Sequence, residues 1–328
     1  MAVLLDPTVR GELFGPAEWR ELTGIGDVVA HCTDTAELLS HPRRSEAEVL
    51  VISWGAPRLT EEVLVELPAL HTVLYGAGSI RRLTTEACWK RRLTMVSAAE
   101  ANNAPVAEYV YAQTVLALKD VHRRAQRIPR EQTLPPLKEV PGVNGQTVGL
   151  VSFGSIAQKV AGHLTRLRTR TLAWDPYQDD DVFRAAGTER IGELPDLVAR
   201  SLVLSIHTPL IPGGTEGLIT GELLRLLPSG ATLINTARGA VIDEPAMLQV
   251  LTERPDLYAV LDVTAAEPPA PDSALYTLPN VMLTGHVAGT VGTERRAIGR
   301  LLLDELARVA AGTAPRHAVT QEAALLRA

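Results

Sequence analysis

Three residues in the last third of this chain have side chains suited to acid–base chemistry on an anion: Arg238, Glu267 and His286. A guanidinium keeps its charge and presents a fork that matches a planar carboxylate. An imidazole gives and takes a proton near neutrality, and a carboxylate beside it keeps it charged. The three lie in Asn235-Thr236-Ala237-Arg238-Gly239, Asp262-Val263-Thr264-Ala265-Ala266-Glu267-Pro268 and Thr284-Gly285-His286-Val287-Ala288. Each segment follows a short apolar run of strand type, so each residue is expected at or just past the carboxyl end of a strand. In open α/β sheets that edge is where ligands bind.

The elements that must carry these residues form a βα series. Strands are predicted at 147–152, 171–174, 202–206, 232–235, 259–263 and 281–284, followed by a helix over about 294–311 that opens on Thr290 or Thr293. Upstream, strands at 49–53 and 72–75 flank a helix at 60–67 with Glu61 and Glu62 in its first turn, a parallel βαβ pattern. A long apolar helix is read over 104–119, with Pro105 in its first turn. The segment 128–145 holds Pro129, Pro135, Pro136, Pro141 and Gly142 and reads as a linker or surface crossing.

The strand at 147–152 runs into Ser152-Phe153-Gly154-Ser155-Ile156-Ala157, an imperfect dinucleotide fingerprint. Gly154 stands where the backbone must approach a pyrophosphate, and Ala157 is a permitted variant for helix packing. Ser152 replaces the turn glycine, which is tolerable only if that residue avoids positive φ. Asp175 comes about 20 residues after Gly154, the place of a carboxylate that binds the ribose 2′-hydroxyl. Pro176 and Tyr177 follow it, and no neighbouring Arg or Lys awaits a 2′-phosphate, so the expected cofactor is NAD rather than NADP.

With 328 residues the chain exceeds what one hydrophobic core usually supports, and two domains are expected. A net charge of -6 gives no reason to expect a nucleic-acid partner. The two cysteines, Cys32 and Cys88, are too few for a disulfide framework or a metal cluster, read as buried thiols and fit a reducing cytosol. No apolar run is long enough to span a bilayer, the N-terminus lacks the pattern of a signal peptide, and no cluster has metal-ligand spacing.

Taken in order, residues 147–157, Ile206-His207-Thr208-Pro209-Leu210 and the segments 234–244, 261–268 and 283–289 resemble the D-isomer-specific 2-hydroxyacid dehydrogenase family. Asn103-Ala104-Pro105-Val106-Ala107-Glu108 is similar to its hinge-helix signature. The resemblance implies an α/β fold: a Rossmann NAD-binding domain at residues 104–290 plus a flavodoxin-like substrate domain at residues 1–103 and 291–328, with a cleft between them. It implies that Arg238 binds the substrate carboxylate and carbonyl, that His286 is the acid/base, and that Glu267 raises the pKa of His286. Substrate carboxylate would also meet backbone N–H groups at Ala77, Gly78 and Ser79.

For the cofactor, the resemblance implies Gly154, with Ser155 and Ile156 at the pyrophosphate and Asp175 at the ribose. His207 and Thr208 would lie near the adenosine half, although His207 also reads as a residue that only shapes its turn. Thr236, Ala237 and Arg238 would line the nicotinamide, Asp262 would hold its carboxamide, and His286 to Gly289 would close the pocket. A small anionic 2-oxoacid or 2-hydroxyacid is the implied substrate, and a cytoplasmic homodimer the implied assembly.

Four features depart from the family pattern. Ser155 stands in place of a basic residue, Gly285 in place of the proline before the histidine, and Thr264-Ala265-Ala266 in place of an aromatic and acidic stretch. Arg81 and Arg82 follow the anion turn where an acid is common; they read either as a solvated helix start or as a site for a second anionic group. Two other functions stay open: an NAD-sensing, corepressor-like binding protein, and a specialised relative acting on a phosphonate-, phosphite- or formate-type substrate.

Overall fold

Runs of Val, Leu, Ile and Ala that are apolar on both faces suit parallel strands covered by helices on each side, and the computed structural model, which describes residues 1–326, builds two such sheets. The chain divides into one unit of Met1–Asn102 with the segment from Thr290 onward, and a second unit of Asn103–Gly289.

In the first unit the strands are β1 (Ala2–Leu4), β2 (Ala30–Cys32), β3 (Val49–Ile52), β4 (Thr72–Tyr75) and β5 (Thr94–Ser97). The second unit holds β6 (Thr147–Val151), β7 (Arg170–Trp174), β8 (Glu189–Arg190), β9 (Val203–Ile206), β10 (Thr232–Asn235), β11 (Tyr258–Leu261) and β12 (Val281–Leu283). The chain then returns to the first unit, where β13 (Ala318–Val319) pairs antiparallel with β5.

The first sheet runs β13-β5-β4-β3-β1-β2, whose parallel part is the flavodoxin-like arrangement. The second runs β12-β11-β10-β9-β6-β7-β8, a Rossmann order whose direction reverses between β6 and β9. The helix Ser155–Leu164 buries Ala157, Val160, Ala161 and Leu164 against Val148, Leu150 and Val203 of this sheet. In the first unit the helix Arg295–Ala310 buries Ile298, Leu302, Leu303 and Leu306 against Val51, Leu74 and Val96. Cys32 and Cys88 are buried and free, and burial pushes the Cys32 thiol up to about 11.

Several expectations are corrected. The long helix spans Ala99–Leu118, so Pro105 lies inside it rather than in its first turn. Ser97 Oγ accepts from the Ala99 N–H at 3.1 Å, a start signal that Pro105 outweighed in the sequence. A second helix, Val121–Glu131, includes Pro129, so the segment read as a linker opens inside a helix. Pro129 has no N–H for the carbonyl of Ala125, four residues back, so the helix carries it with one bond missing. Neither Thr290 nor Thr293 caps the last long helix. Thr290 gives its N–H and hydroxyl to Asn102 Oδ1 at 2.9 and 3.0 Å, while Glu294 Oε2 accepts from the Val291 N–H at 2.9 Å. Strands β1, β2, β5, β8 and β13 were not foreseen. Of these, β2 and β8 carry His31, Glu189 and Arg190, so neither reads as an apolar run.

Ser152 has φ +66°, the left-handed region that its sequence reading excluded. Its hydroxyl lies 2.9 Å from that of Thr208, which holds the turn in place of a glycine's freedom. At such a backbone an L side chain costs about 1 kcal/mol that glycine avoids. Ser152→Gly is therefore expected to be more stable than Ser152→Ala by about 1 kcal/mol in urea unfolding; equal stability of the two would mean that the turn is not left-handed.

Candidate functional site

Strand register lines up the second unit's ligand edge. Trp174 pairs with Val151, Val151 with Ile206, Ile206 with Asn235, Asn235 with Leu261, and Leu261 with Leu283. The residues one step further, Asp175, Ser152, His207, Thr236, Asp262 and Thr284, therefore form one row across the carboxyl ends of six strands.

The loop after β12 carries His286. Its Nδ1 lies 2.8 Å from Glu267 Oε2. An ionised carboxylate only accepts, so in this pair Nδ1 bears the hydrogen and Nε2 is the atom available for proton exchange. The two side chains are 52% and 44% exposed, so the pair contributes little to stability. The loop's shape comes from Asp262, which is buried. Its Oδ1 accepts from the Thr284 hydroxyl at 2.6 Å and the Val287 N–H at 2.9 Å, and its Oδ2 accepts from the Ala288 N–H at 2.9 Å. The Asp262 carbonyl accepts from the His286 N–H at 2.7 Å. Tyr109 adds a hydroxyl 2.9 Å from that of Thr284. The resemblance aims Asp262 at the cofactor carboxamide, whereas its hydrogen-bond partners here lie in the His286 loop. Gly285 and His286 both sit at positive φ, +71° and +63°. A proline before the histidine is incompatible with that backbone.

Arg238 follows β10. Asn235, nearly fully buried at the strand's end, accepts the Ala237 N–H at 3.0 Å and donates to the Arg238 carbonyl at 3.1 Å. It fixes the Thr236-Ala237-Arg238 turn and was not singled out from the sequence. The signal was present, since an amide that ends a buried apolar strand needs partners. Gly239 is packed so closely on the loop of Glu267 that a Cβ there would sit 1.9 Å from the carbonyl carbon of Thr264. The absence of a side chain lets the Arg238 turn and the Glu267 loop lie side by side.

Gly154 caps the ten-residue helix Ser155–Leu164, with nothing within 4 Å of where its Cβ would stand. Its approach is open to a phosphate group, and helix N-termini favour anions. Asn103 Nδ2 donates to Ser155 Oγ at 3.1 Å, and Ile156 follows on the same first turn. Asp175 Oδ2 accepts the Phe153 N–H at 2.7 Å and Oδ1 the Tyr177 N–H at 2.8 Å, so this carboxylate also holds the glycine turn. The fold supplies a cation that sequence neighbours did not show: Arg190 on β8 lies 3.4 Å from the Asp175 carbonyl and is ion-paired to Asp180. Thr208 is buried beside Ser152. His207 Nε2 and Thr236 Oγ1, on neighbouring strands, are buried without a hydrogen-bond partner. Burial pushes the His207 imidazole down to about 3, so it is neutral at working pH. Two orphaned polar atoms on the ligand edge, with an open helix N-terminus beside them, fit a dinucleotide.

Ala77, Gly78 and Ser79 lie in the first unit, just past β4. Gly289 is the last residue of the second. Among the described residues no helix is long and apolar enough to cross a membrane, and no group of three or more His, Cys, Asp or Glu could hold a metal ion.

Residues 111–288 match the model of the D-isomer specific 2-hydroxyacid dehydrogenase, NAD binding domain. The chain belongs to this family. Its second unit is an NAD-binding domain of the 2-hydroxyacid dehydrogenases. The chain is similar to the D-3-phosphoglycerate dehydrogenase of Mycobacterium tuberculosis, 32% identical over 254 residues, covering 77% of this chain and 47% of the relative. It is also similar to the (S)-sulfolactate dehydrogenase of Chromohalobacter salexigens, 29% identical over 303 residues, covering 89% and 96%. Among solved structures, the TT0316 protein of Thermus thermophilus superposes with a TM-score of 0.76 at 27% identity, covering 98% of this chain and 100% of that one. The chain spans about half the length of the phosphoglycerate dehydrogenases that it matches.

The left-handed pair before Val287 sets a clear expectation. Gly285→Pro would force φ from +71° to about −65° and should cost about 3 kcal/mol in urea unfolding. A cost below about 1 kcal/mol would contradict the backbone described for this loop.

Proposed function

We propose that this chain interconverts a small anionic 2-oxoacid and its D-2-hydroxyacid with NAD(H), using His286 as the acid/base. The observation that carries the reading is the His286–Glu267 contact at 2.8 Å, on a loop clamped by Asp262. Bound NADH supplies the hydride from its nicotinamide ring. Arg238 holds the substrate carboxylate and polarises the carbonyl, a task for a fixed fork of donors. His286 Nε2 donates a proton to the carbonyl oxygen in reduction and removes it in oxidation, while Glu267 keeps the ring oriented through Nδ1. Asp175 binds the ribose, His207 and Thr208 face the adenosine half, and the Thr236-Ala237-Arg238 turn lines the nicotinamide. Residues 104–290 form the NAD-binding domain, and residues 1–103 with 291–328 form the substrate domain, where Ala77, Gly78 and Ser79 bind the carboxylate. A cytoplasmic homodimer belongs to the same reading.

A substrate with a second anionic group is the favoured refinement. Arg81 and Arg82 come after the anion turn, with Ile80 between, and two relatives are named for substrates that carry a phosphate or a sulfonate.

The test is a panel of 2-oxoacids with NADH and NADPH. Wild type is expected to oxidise NADH with at least one of them, and His286→Ala to be slower by about 10²–10⁴-fold. Equal inertness of both, with NADH still bound, would favour the NAD-sensing alternative. Arg81→Ala is expected to raise KM about tenfold for 3-phosphohydroxypyruvate or sulfopyruvate and to leave glyoxylate little changed; an equal effect on all three would remove the second anionic group from the account.

A further inference from the structure

The turn after β4 is aimed by two buried hydroxyls. Tyr75 of β4 pairs with Ile52 of β3 on one side and Ser97 of β5 on the other. Ser53, one step past β3, and Ser97, the last residue of β5, therefore flank the turn that follows Tyr75. Both are buried, Ser53 completely and Ser97 to within 6% exposure. Ser53 Oγ donates to the Gly76 carbonyl at 2.6 Å. Ser97 Oγ donates to the Gly78 carbonyl at 2.5 Å, with the Ala77 carbonyl 3.2 Å away, and accepts from the Ala99 N–H. Three successive carbonyls are thus drawn toward the protein interior.

In a trans peptide the carbonyl and the next N–H point in opposite directions. Holding the carbonyls of Gly76, Ala77 and Gly78 inward turns the N–H groups of Ala77, Gly78 and Ser79 outward. Successive N–H groups on one side of a turn make an anion-binding concavity. Ser97 is itself held from behind: its N–H donates to the His317 carbonyl at 3.2 Å. The buried Glu305 accepts the N–H groups of Arg316 and His317 and meets His317 Nδ1 at 2.5 Å, which fixes the segment that backs Ser97.

We infer that Ser53 and Ser97 are positioning residues that orient the backbone donors of Ala77, Gly78 and Ser79 toward a carboxylate. The inference rests on the reading above in taking this turn as the substrate's anion site, and it adds the residues that give the turn its affinity. Neither serine touches substrate.

The test is steady-state kinetics with NADH and glyoxylate. Ser53→Ala and Ser97→Ala should each raise the glyoxylate KM roughly five- to tenfold, with kcat and the NADH KM within about twofold of wild type. Ser97→Thr, which keeps the hydroxyl, should restore the KM. An unchanged KM in both alanine variants overturns the inference, as does a parallel loss of kcat and of NADH affinity, which would mark a purely structural role. If wild type does not turn glyoxylate over, the same KM comparison is made with the 2-oxoacid of the panel that it does reduce; if it reduces none, the reaction reading is what has failed, and oxalate tests the turn separately. A rise in Tm with oxalate that shrinks in Ser97→Ala supports the inference. No rise in wild type, or an equal rise in both, overturns it.

Discussion

A buried carboxylate cannot stand alone: taken out of water, it must be met by donors or give up its charge. Asp262 meets that constraint by drawing in the chain after β12. Its two oxygens take the Thr284 hydroxyl and the N–H groups of Val287 and Ala288, and its carbonyl takes the N–H of His286. Four bonds to four of the five residues 284–288 leave the loop one shape, and that shape places Gly285 and His286 at positive φ. The imidazole thereby reaches Glu267, which arrives on the loop after β11, the strand that Asp262 itself closes. The His286–Glu267 pair is half exposed and weak as an ion pair; its geometry is secured by the Asp262 carboxylate.

The same device recurs along the ligand edge. Asp175 closes β7 and uses its carboxylate to hold the Phe153 N–H, so the glycine turn is fixed by the residue proposed to bind the ribose. Asn235 closes β10 and holds the Arg238 turn from both ends. Ser53 and Ser97 do the equivalent for the turn after β4. In each case a polar residue at a strand's end stays buried and spends its hydrogen bonds on the neighbouring loop. Register converts this into a site, because strands that end in step present these loops side by side.

Much of this was legible in the residues. The strands of the second unit were readable as apolar runs, and the trio, Gly154 and Asp175 fell at their ends because motif spacing follows strand and turn length. What escaped has identifiable physical causes. The φ of Ser152 is set by Thr208, which lies 56 residues away and on another strand, so no local pattern carries it. Arg190 comes beside Asp175 only through the pairing of β8 with β7. The helix Val121–Glu131 was hidden by Pro129, a residue that reads as a helix breaker anywhere past the first turn yet lies inside this one. The role of Asp262 in the His286 loop was hidden by its residue type, since an acid after a strand reads first as a ligand group. The residue types were therefore plainer than the arrangement that holds them.

The central claim is that a histidine held in this way moves the proton while hydride passes to a 2-oxoacid carbon. Single-turnover label transfer from NADH deuterated at the nicotinamide C4 to hydroxypyruvate addresses it directly. The account predicts D-glycerate carrying deuterium at C2 from the wild-type protein, formed far more slowly by His286→Ala. Label transferred at the same rate by both proteins, or recovered in L-glycerate, would contradict it.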